Sequence, residues 1–213
     1  MTLKTLVVGP FQVNCYLWWH ETSGDGVIID PGAEHSLIIS QIQKADFSPK
    51  AILLTHGHGD HIAAVADVKS HFDIPLFVGR GEEKLLANPS ANVSALFDQP
   101  IVAPPPDSLL DDEQLVTFGS VKLKVLKTPG HSPGGVCYLD ESAGYLFCGD
   151  TLFYGSIGRT DFPGCSHETL IKSINDKILK LPDDIVCYPG HGPHTTVGAE
   201  RNNNPFLTGR YFV

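Results

Sequence analysis

Three histidines and an aspartate lie within six positions of one short segment, and they are His56, His58, Asp60 and His61. The segment directly follows the apolar run 51–54, which is typical of a buried strand. Imidazole nitrogens and carboxylate oxygens are ligands of divalent metal ions. We therefore predict a metal site at a strand end. The alternative is a polar loop with solvated histidines, in which Asp60 only caps a helix that begins near His61.

Three more candidate ligands, His131, Asp150 and His191, occupy the same kind of position in the chain. His131 follows the alternating apolar stretch 121–126, Asp150 follows 145–149, and His191 follows 185–190. If these strands lie in packed sheets with their carboxyl ends on one rim, all seven side chains converge in one cleft. Such a cleft is suited to an enzyme site.

The elements that must position these residues are predicted from apolar spacing. Strands are expected at 3–8, 13–19, 27–29, 50–54, 74–78, 114–118, 121–126, 135–139, 144–148 and 185–188. Helices are expected at 34–44, 61–72 and 167–181, and Thr195 or Thr196 can cap a short last helix. The proline-containing segment 88–112 is predicted to be irregular, and it either flanks the cleft or wraps the surface. Asp30 ends a strand, where it either orients a ligand or starts an Asp-Pro-Gly turn.

Length and charge restrict the classes of function. The 213 residues, 42% of them hydrophobic, are sufficient for one large core, so we expect a single domain over residues 1–213. The net charge of −9 and the lack of a basic run disfavour nucleic acid as a partner. No secretory signal or membrane-spanning run is visible, so we expect a cytoplasmic protein without membrane contact. The five scattered cysteines suit buried thiols better than a catalytic nucleophile.

The order of these residues resembles the metallo-β-lactamase superfamily. Its Thr-His-x-His-x-Asp-His motif corresponds to residues 55–61, and His131, Asp150 and His191 follow in the family's order. Within the superfamily the chain is most similar to single-domain glyoxalase II-like hydrolases, which split the thioester of S-lactoylglutathione. Segments 13–17, 29–32, 128–134, 149–153 and 189–192 support this resemblance. It implies an α/β fold with four layers, αββα, in which two mixed sheets pack face to face and helices lie outside.

Two features depart from the relatives. Two-domain glyoxalase II enzymes carry a C-terminal helical domain that helps to hold glutathione, and we expect no such domain in this chain, which ends at Val213. Many relatives place a further histidine shortly after the ligand motif, where this chain has Gly135. The first departure bears on the substrate rather than on the chemistry, and we expect metal binding to survive the second.

The resemblance also implies a ligand set for two divalent metal ions. It assigns His56, His58 and His131 to one metal, Asp60, His61 and His191 to the other, and Asp150 as the bridge. These donors favour zinc and also admit iron or manganese. A hydroxide that bridges the metals would attack a small-molecule thioester, expected to be derived from glutathione, and Asp60 would also orient the hydroxide. Arg159 matches a basic residue that contacts the glycine carboxylate of glutathione in relatives; the alternative is a structural ion pair with Asp161.

Other activities of the same fold give different expectations. Residues 158–162 also resemble persulfide dioxygenases, whose mononuclear iron site uses the equivalents of His56, His131 and Asp150. That function predicts one iron per chain and oxygen uptake, whereas the hydrolase predicts two metals and no oxygen uptake.

The lack of a secretory signal disfavours β-lactam hydrolysis, and the acidic charge disfavours RNA processing. A purely structural metal site is disfavoured because structural zinc is usually enclosed by cysteines. The oligomeric state is not predicted.

Overall fold

Two mixed β-sheets form the centre of the computed structural model, which describes residues 1–96 and 99–209. In spatial order, sheet 1 contains β1 (Thr2–Val8), β2 (Val13–Trp19), β3 (Asp25–Ile29), β4 (Ser48–Leu54), β5 (Leu76–Gly79) and β6 (Ser108–Leu110). Sheet 2 contains β14 (Thr195–Thr196), β13 (Val186–Pro189), β10 (Tyr145–Gly149), β9 (Val136–Asp140), β8 (Val121–Lys127) and β7 (Leu115–Phe118). A separate hairpin is formed by β11 (Leu152–Phe153) and β12 (Ser156–Ile157).

Both sheets combine parallel and antiparallel pairing. In sheet 1, β1, β2 and β3 are antiparallel neighbours, and β3 to β6 run parallel. In sheet 2, β10 and β13 are parallel and the remaining neighbours are antiparallel. Hairpins join β2 to β3, β7 to β8 and β9 to β10, and the two strands of each pair are antiparallel.

Helices cover the outer faces of the two sheets. Helices α1 (His35–Lys44) and α3 (Val65–Phe72) pack on sheet 1, and α5 (His167–Ser173), its π-helical continuation (Ile174–Ile178) and α6 (Val197–Asn203) pack on sheet 2. The shorter helices are α2 (Gly59–Ile62), α4 (Glu83–Leu86) and α7 (Pro205–Thr208).

The strand β2 shows why four layers form. All seven of its residues are buried, although strand side chains alternate between two faces. Tyr16 and Trp18 contact the core between the sheets, whereas Cys15 and Leu17 lie in the core beneath the sheet 1 helices. A strand buried on both faces requires a layer on each side. The expected four-layer αββα sandwich is confirmed.

The single helix expected at 61–72 is wrong, because the chain forms α2 and α3 with a break at Ala63 and Ala64. The backbone N–H of Ala64 donates to the carbonyl of Pro31 at 3.1 Å instead of continuing the helix. Gly32 also lies so close that a Cβ there would be 2.0 Å from the carbonyl oxygen of Asp60. Tertiary contact with the loop after β3 therefore interrupts a helix that apolar spacing alone would continue.

The segment 88–112 is less irregular than expected. It contains a 3-10 turn (Ser94–Leu96) and the edge strand β6, which pairs parallel with β5. Its residues 97 and 98 lie outside the described part of the chain. The strand is short and follows three consecutive prolines, so the alternation of apolar and polar residues does not predict it.

The five cysteines are free thiols, four buried and one half-buried, which confirms the expectation of small apolar side chains. Within residues 1–96 and 99–209, none of the helices combines the length and the apolar character needed to cross a membrane.

Candidate metal centre

The candidate ligands lie in loops that follow strands, and these loops meet at one edge of the sandwich. The motif loop leaves β4, Asp150 follows β10, and His191 follows β13, which runs parallel to β10. The two sheets are joined here because the N–H of Val136 donates to the carbonyl of Thr55 at 2.8 Å. Parallel strands end at the same edge, so residues far apart in sequence converge, as predicted.

One group of three ligand atoms is formed by His56, His58 and His131. One nitrogen of each imidazole lies within 4.8 Å of the other two. The Nδ1 atom of His58 is 2.9 Å from the Nε2 atom of His131. All three side chains are buried, so the nitrogens face one another rather than solvent. This geometry can hold one divalent cation.

A second group is formed by Asp60, His61 and His191. Its three ligand atoms also lie within 4.8 Å of one another. The Nε2 atom of His191 is 3.4 Å from the Nε2 atom of His61 and 3.4 Å from an oxygen of Asp60. This group borders the open end of the site, because His191 and Asp60 keep partial exposure.

Asp150 lies between the two groups. One of its oxygens is 3.6 Å from His131 in the first group and 3.5 Å from His191 in the second, and the other oxygen is 3.4 Å from His61. Gly190 permits this arrangement, since a Cβ there would be 2.2 Å from the Oδ1 atom of Asp150. Asp150 therefore lies close to candidate ligands of both groups.

Two unsatisfied atoms indicate that these side chains fit a metal ion. The Nε2 atom of His56 and the Oδ1 atom of Asp150 are buried, and neither has a hydrogen-bond partner in the described part of the chain. A buried polar atom without a partner is costly, and native proteins rarely leave one. Nitrogen and oxygen donors in groups of three suit divalent cations such as zinc, iron or manganese.

The charges of His56, His58 and Asp150 also suit a cation. Burial, followed by repulsion from His61 and other neighbouring imidazoles, lowers the pKa of His56 well below its usual value. Burial and His131 lower the pKa of His58 to about 3. Neutral imidazoles carry the lone pair that a metal needs. Burial opposes ionisation of Asp150, but the adjacent histidines outweigh it and hold the pKa of that carboxyl well below its usual value.

Hydrogen bonds from the opposite ring nitrogens fix the orientation of the ligands. His61 Nδ1 donates to a carboxylate oxygen of Asp30 at 3.1 Å, and His131 Nδ1 donates to the carbonyl of Arg159 at 2.8 Å. His191 Nδ1 donates to the carbonyl of Phe11 at 3.0 Å. Each bond leaves Nε2 free to face the site. Asp30 therefore contacts a candidate ligand, and its role in orienting that ligand stays a prediction.

A cavity of about 600 Å³ opens above the two groups. Its floor contains His58, Asp60, His131, Asp150 and His191, and its walls include Phe11, Val93, Phe153, Tyr154, Ile157 and Phe162. Val93 places part of the segment 88–112 at the cavity, so that segment does flank the cleft. The size suits a small-molecule substrate whose reacting group lies above the ligands.

Arg159 also lines this cavity, and the structure shows the alternative that the sequence left open. Its guanidinium makes two bonds of 2.7 Å to the carboxylate of Asp161. The same group lies 4.0 Å above the ring of Phe162. The ion pair therefore exists, and it holds the guanidinium at the cavity wall.

Two buried glutamates near the site were not found from the sequence. Glu82 accepts hydrogen bonds from backbone N–H groups of two ligand loops. Glu200 accepts from Gly155 N–H at 3.0 Å and from the Thr195 hydroxyl at 2.6 Å, which fastens the β11–β12 hairpin to α6. Charged residues in a Gly-Glu-Glu turn or on a short polar helix look like surface groups, so composition gives no signal for either.

Gly135 adjoins the ligand loops, and it lines a small second pocket together with His56, His131 and Asp150. A Cβ at this position would lie 2.9 Å from the hydroxyl oxygen of Ser132 and 3.4 Å from the carbonyl of Thr128. The Ser132 hydroxyl is buried and has no hydrogen-bond partner among the residues described. The expected survival of metal binding with Gly135 stays a prediction.

Comparisons with known proteins agree with this geometry. The profile of the Metallo-beta-lactamase superfamily matches residues 8–191. This chain belongs to the metallo-beta-lactamase superfamily. It is 40% identical over 210 residues to the probable metallo-hydrolase YqgX of Bacillus subtilis, covering 98% of this chain and 99% of that protein. It is 38% identical over 212 residues to the hydroxyacylglutathione hydrolase GloC of Haemophilus influenzae, covering 99% and 100%.

Solved structures of superfamily members share the fold. BLEG-1, a B3 metallo-beta-lactamase, is 43% identical with a TM-score of 0.94, covering 98% of this chain and 100% of that one. TTHA1623 in a di-iron-bound form is 37% identical with a TM-score of 0.83, covering 96% and 100%. ETHE1 from Myxococcus xanthus is 25% identical with a TM-score of 0.81, covering 98% and 85%. The chain is therefore a metallo-beta-lactamase-fold hydrolase with groups of candidate metal ligands.

Proposed function

We propose that this chain is a metal-dependent thioester hydrolase with two divalent ions, zinc being the first choice. Its proposed substrate is a glutathione-derived thioester such as S-lactoylglutathione. The observation that carries the proposal is the position of Asp150 between two groups of three donor atoms on a cavity floor. The name of the Haemophilus influenzae relative, hydroxyacylglutathione hydrolase, supports the choice of substrate.

The residues of this chain would have different roles in the reaction. The first ion would be held by His56, His58 and His131, the second by Asp60, His61 and His191, and both by Asp150. Divalent ions at such sites activate water at neutral pH and polarise a substrate carbonyl. Burial raises the pKa of Asp60, but His61 and His191 outweigh it and hold the pKa below its usual value. The ionised Asp60 carboxylate would orient the attacking water by accepting a hydrogen bond from it.

Arg159 would bind a carboxylate of the substrate. Its guanidinium is fixed by Asp161 and Phe162, so little side-chain freedom is lost when a ligand binds. The two bonds to Asp161 leave other N–H donors of the planar group available. A glutathione carboxylate at the cavity wall would place the thioester toward the ligands on the floor.

A second candidate function is a glutathione persulfide dioxygenase with one iron. The structural similarity to ETHE1 favours it, as does the burial of His56, His131 and Asp150 in one cluster. The hydrolase reaction needs both groups of ligands, whereas the dioxygenase needs only these three. His58 and His191 therefore distinguish the two functions.

The test combines metal analysis with two assays on protein purified without added metal. We expect about two metals per chain, turnover of S-lactoylglutathione and no oxygen uptake with glutathione persulfide. His58→Ala should lose metal and turnover together, and the exposed His71→Ala serves as the control. One iron per chain with persulfide-dependent oxygen uptake, unaffected by His58→Ala, would overturn the hydrolase in favour of the dioxygenase. Two metals without thioester turnover would refute the substrate, and a cephalosporin is then assayed because of the similarity to BLEG-1.

A further inference from the structure

Glu82 is a buried carboxylate that the ligand motif does not include. It follows β5 in the turn before α4, and its side chain has no exposure to solvent. An ionisable group in such a place is costly unless its oxygens accept hydrogen bonds. In the described turn 79–86, its side chain makes no capping bond to α4. Its partners come from elsewhere in the chain.

Each oxygen of Glu82 accepts a backbone N–H from a different ligand loop. The Oε2 atom accepts from Gly57 at 2.8 Å, and Gly57 is the residue between His56 and His58. The Oε1 atom accepts from Gly134, three residues after His131, through a short bond. The partners are 25 and 52 positions away in sequence. One carboxylate thus joins the two loops that supply the first group of ligands.

The surrounding backbone is packed to allow these bonds. A Cβ at Gly134 would lie 2.6 Å from the carbonyl of Arg80 and 2.8 Å from the N atom of Glu82. A Cβ at Gly57 would lie 2.9 Å from the Cβ of Leu85. Glycine at both positions lets three chain segments approach closely around the carboxylate.

A second link lies at the base of the loops, where Val136 N–H donates to the carbonyl of Thr55. The Glu82 bonds lie closer to the imidazoles, because Gly57 separates two of them. The contact of 2.9 Å between His58 and His131 depends on both loops keeping their places. Small displacements of a loop would separate these nitrogens.

We propose that Glu82 is a positioning residue of the metal centre, which holds the loop of His56 and His58 against the loop of His131. This inference rests on the metal site of the proposed function and not on its thioester substrate. Glutamine has the same length but replaces one acceptor oxygen with an amide donor. In Glu82→Gln, one of the two backbone N–H groups therefore faces another donor.

The test measures metal retention in the cobalt-loaded full chain against a competing chelator. We expect Glu82→Gln to hold cobalt roughly 10–100-fold more weakly and to show a changed visible absorption spectrum. The control is Asp140→Asn, another buried carboxylate whose partners are Trp18, Ser142 and Ala143. Asp140 ends β9, about 13 Å of strand away from Val136, so its variant should lose stability and keep the cobalt spectrum. Unchanged affinity and spectrum in Glu82→Gln would reduce Glu82 to a structural residue and overturn the proposal.

Hydrogen exchange provides a test if the variant does not fold. In the metal-loaded unmodified protein, the amide protons of Gly57 and Gly134 should exchange at least about tenfold more slowly than those of exposed loops. Exchange of either amide at the rate of an exposed loop would contradict the two hydrogen bonds and refute the proposal. The readout does not involve hydrolysis, so failure of the thioester assay leaves this result intact.

Discussion

The substitution Asp30→Asn tests whether Asp30 orients His61 for metal binding, and it is expected to reduce the stability of the fold only to a limited extent. Asp30 is buried, and its Oδ1 atom accepts from Thr55 N–H at 2.8 Å. Its Oδ2 atom accepts from the Thr55 hydroxyl at 2.6 Å and from His61 Nδ1 at 3.1 Å. Asparagine has the same size and tolerates the left-handed backbone of this residue, with φ of 50°. Only Oδ2, which accepts from both the Thr55 hydroxyl and His61, is replaced by a donor.

The expected loss of stability is limited. The amide oxygen of Asp30→Asn keeps the Thr55 N–H bond, and the Thr55 hydroxyl can rotate to accept from the amide nitrogen. One buried donor is left facing His61, which costs about 1–3 kcal/mol in the free energy of unfolding. For a chain of this length, each kcal/mol of lost stability lowers the melting temperature by about 2–4 °C. The expected decrease is therefore roughly 2–12 °C.

The effect on metal binding follows from the tautomer of His61. An amide donor beside Nδ1 favours the imidazole that carries its hydrogen on Nε2. The Nε2 atom is the one that faces His191, Asp60 and Asp150. A hydrogen there removes the lone pair that a cation needs. We therefore expect the second group to bind metal roughly 10–100-fold more weakly.

Denaturant unfolding and zinc competition with a chelator measure the two effects. The control is again Asp140→Asn, which removes a buried carboxylate from the bonds to Trp18 and Ser142. It should lower stability without changing zinc affinity. If Asp30→Asn loses the predicted stability but retains two zinc ions with parental affinity, the tautomer argument is wrong.

Three further outcomes are expected. Arg159→Ala should change the free energy of unfolding by no more than about 1 kcal/mol, because the ion pair with Asp161 is exposed. It should raise the KM for S-lactoylglutathione about tenfold without changing kcat. An unchanged KM in initial-rate assays would contradict the substrate role of Arg159. Gly190→Ala should cost the protein one metal by elemental analysis, because the new Cβ would lie 2.2 Å from the Oδ1 atom of Asp150; two retained metals would contradict this. Glu200→Gln should lower the free energy of unfolding by about 1–3 kcal/mol in denaturant titrations, because two buried hydrogen bonds and one partly buried bond lose a charged acceptor. An unaltered unfolding midpoint would show that these bonds contribute little.

Local patterns in the chain were sufficient to predict most strands and all seven candidate ligands. Apolar alternation reports which side of a strand is buried, and β8 with its buried Val121, Leu123 and Val125 follows it closely. The ligand motif is equally local, because four of its donors lie within six positions. Neither signal depends on partners far away in the chain, so both can be recognised from the sequence without a structure.

The helix break at Ala64 illustrates what local patterns omit. Helical spacing continues through residues 61–72, but the N–H of Ala64 is taken by Pro31 from another loop. The same holds for Arg159, where the sequence left the substrate contact and the Asp161 pair open. The structure shows the pair, because side-chain geometry decides which partner a guanidinium reaches.

The sequence by itself predicted most of the strands, two of the outer helices and the candidate metal ligands, because apolar period and ligand spacing are local properties. Only the tertiary structure decided which groups orient those ligands. Asp30 reaches Thr55 and His61 across 25 and 31 positions, and Glu82 joins loops 25 and 52 positions away. Both partners of Glu82 and one partner of Asp30 are backbone N–H groups, which every residue type except proline carries, so no residue pattern identifies them before the chain has folded.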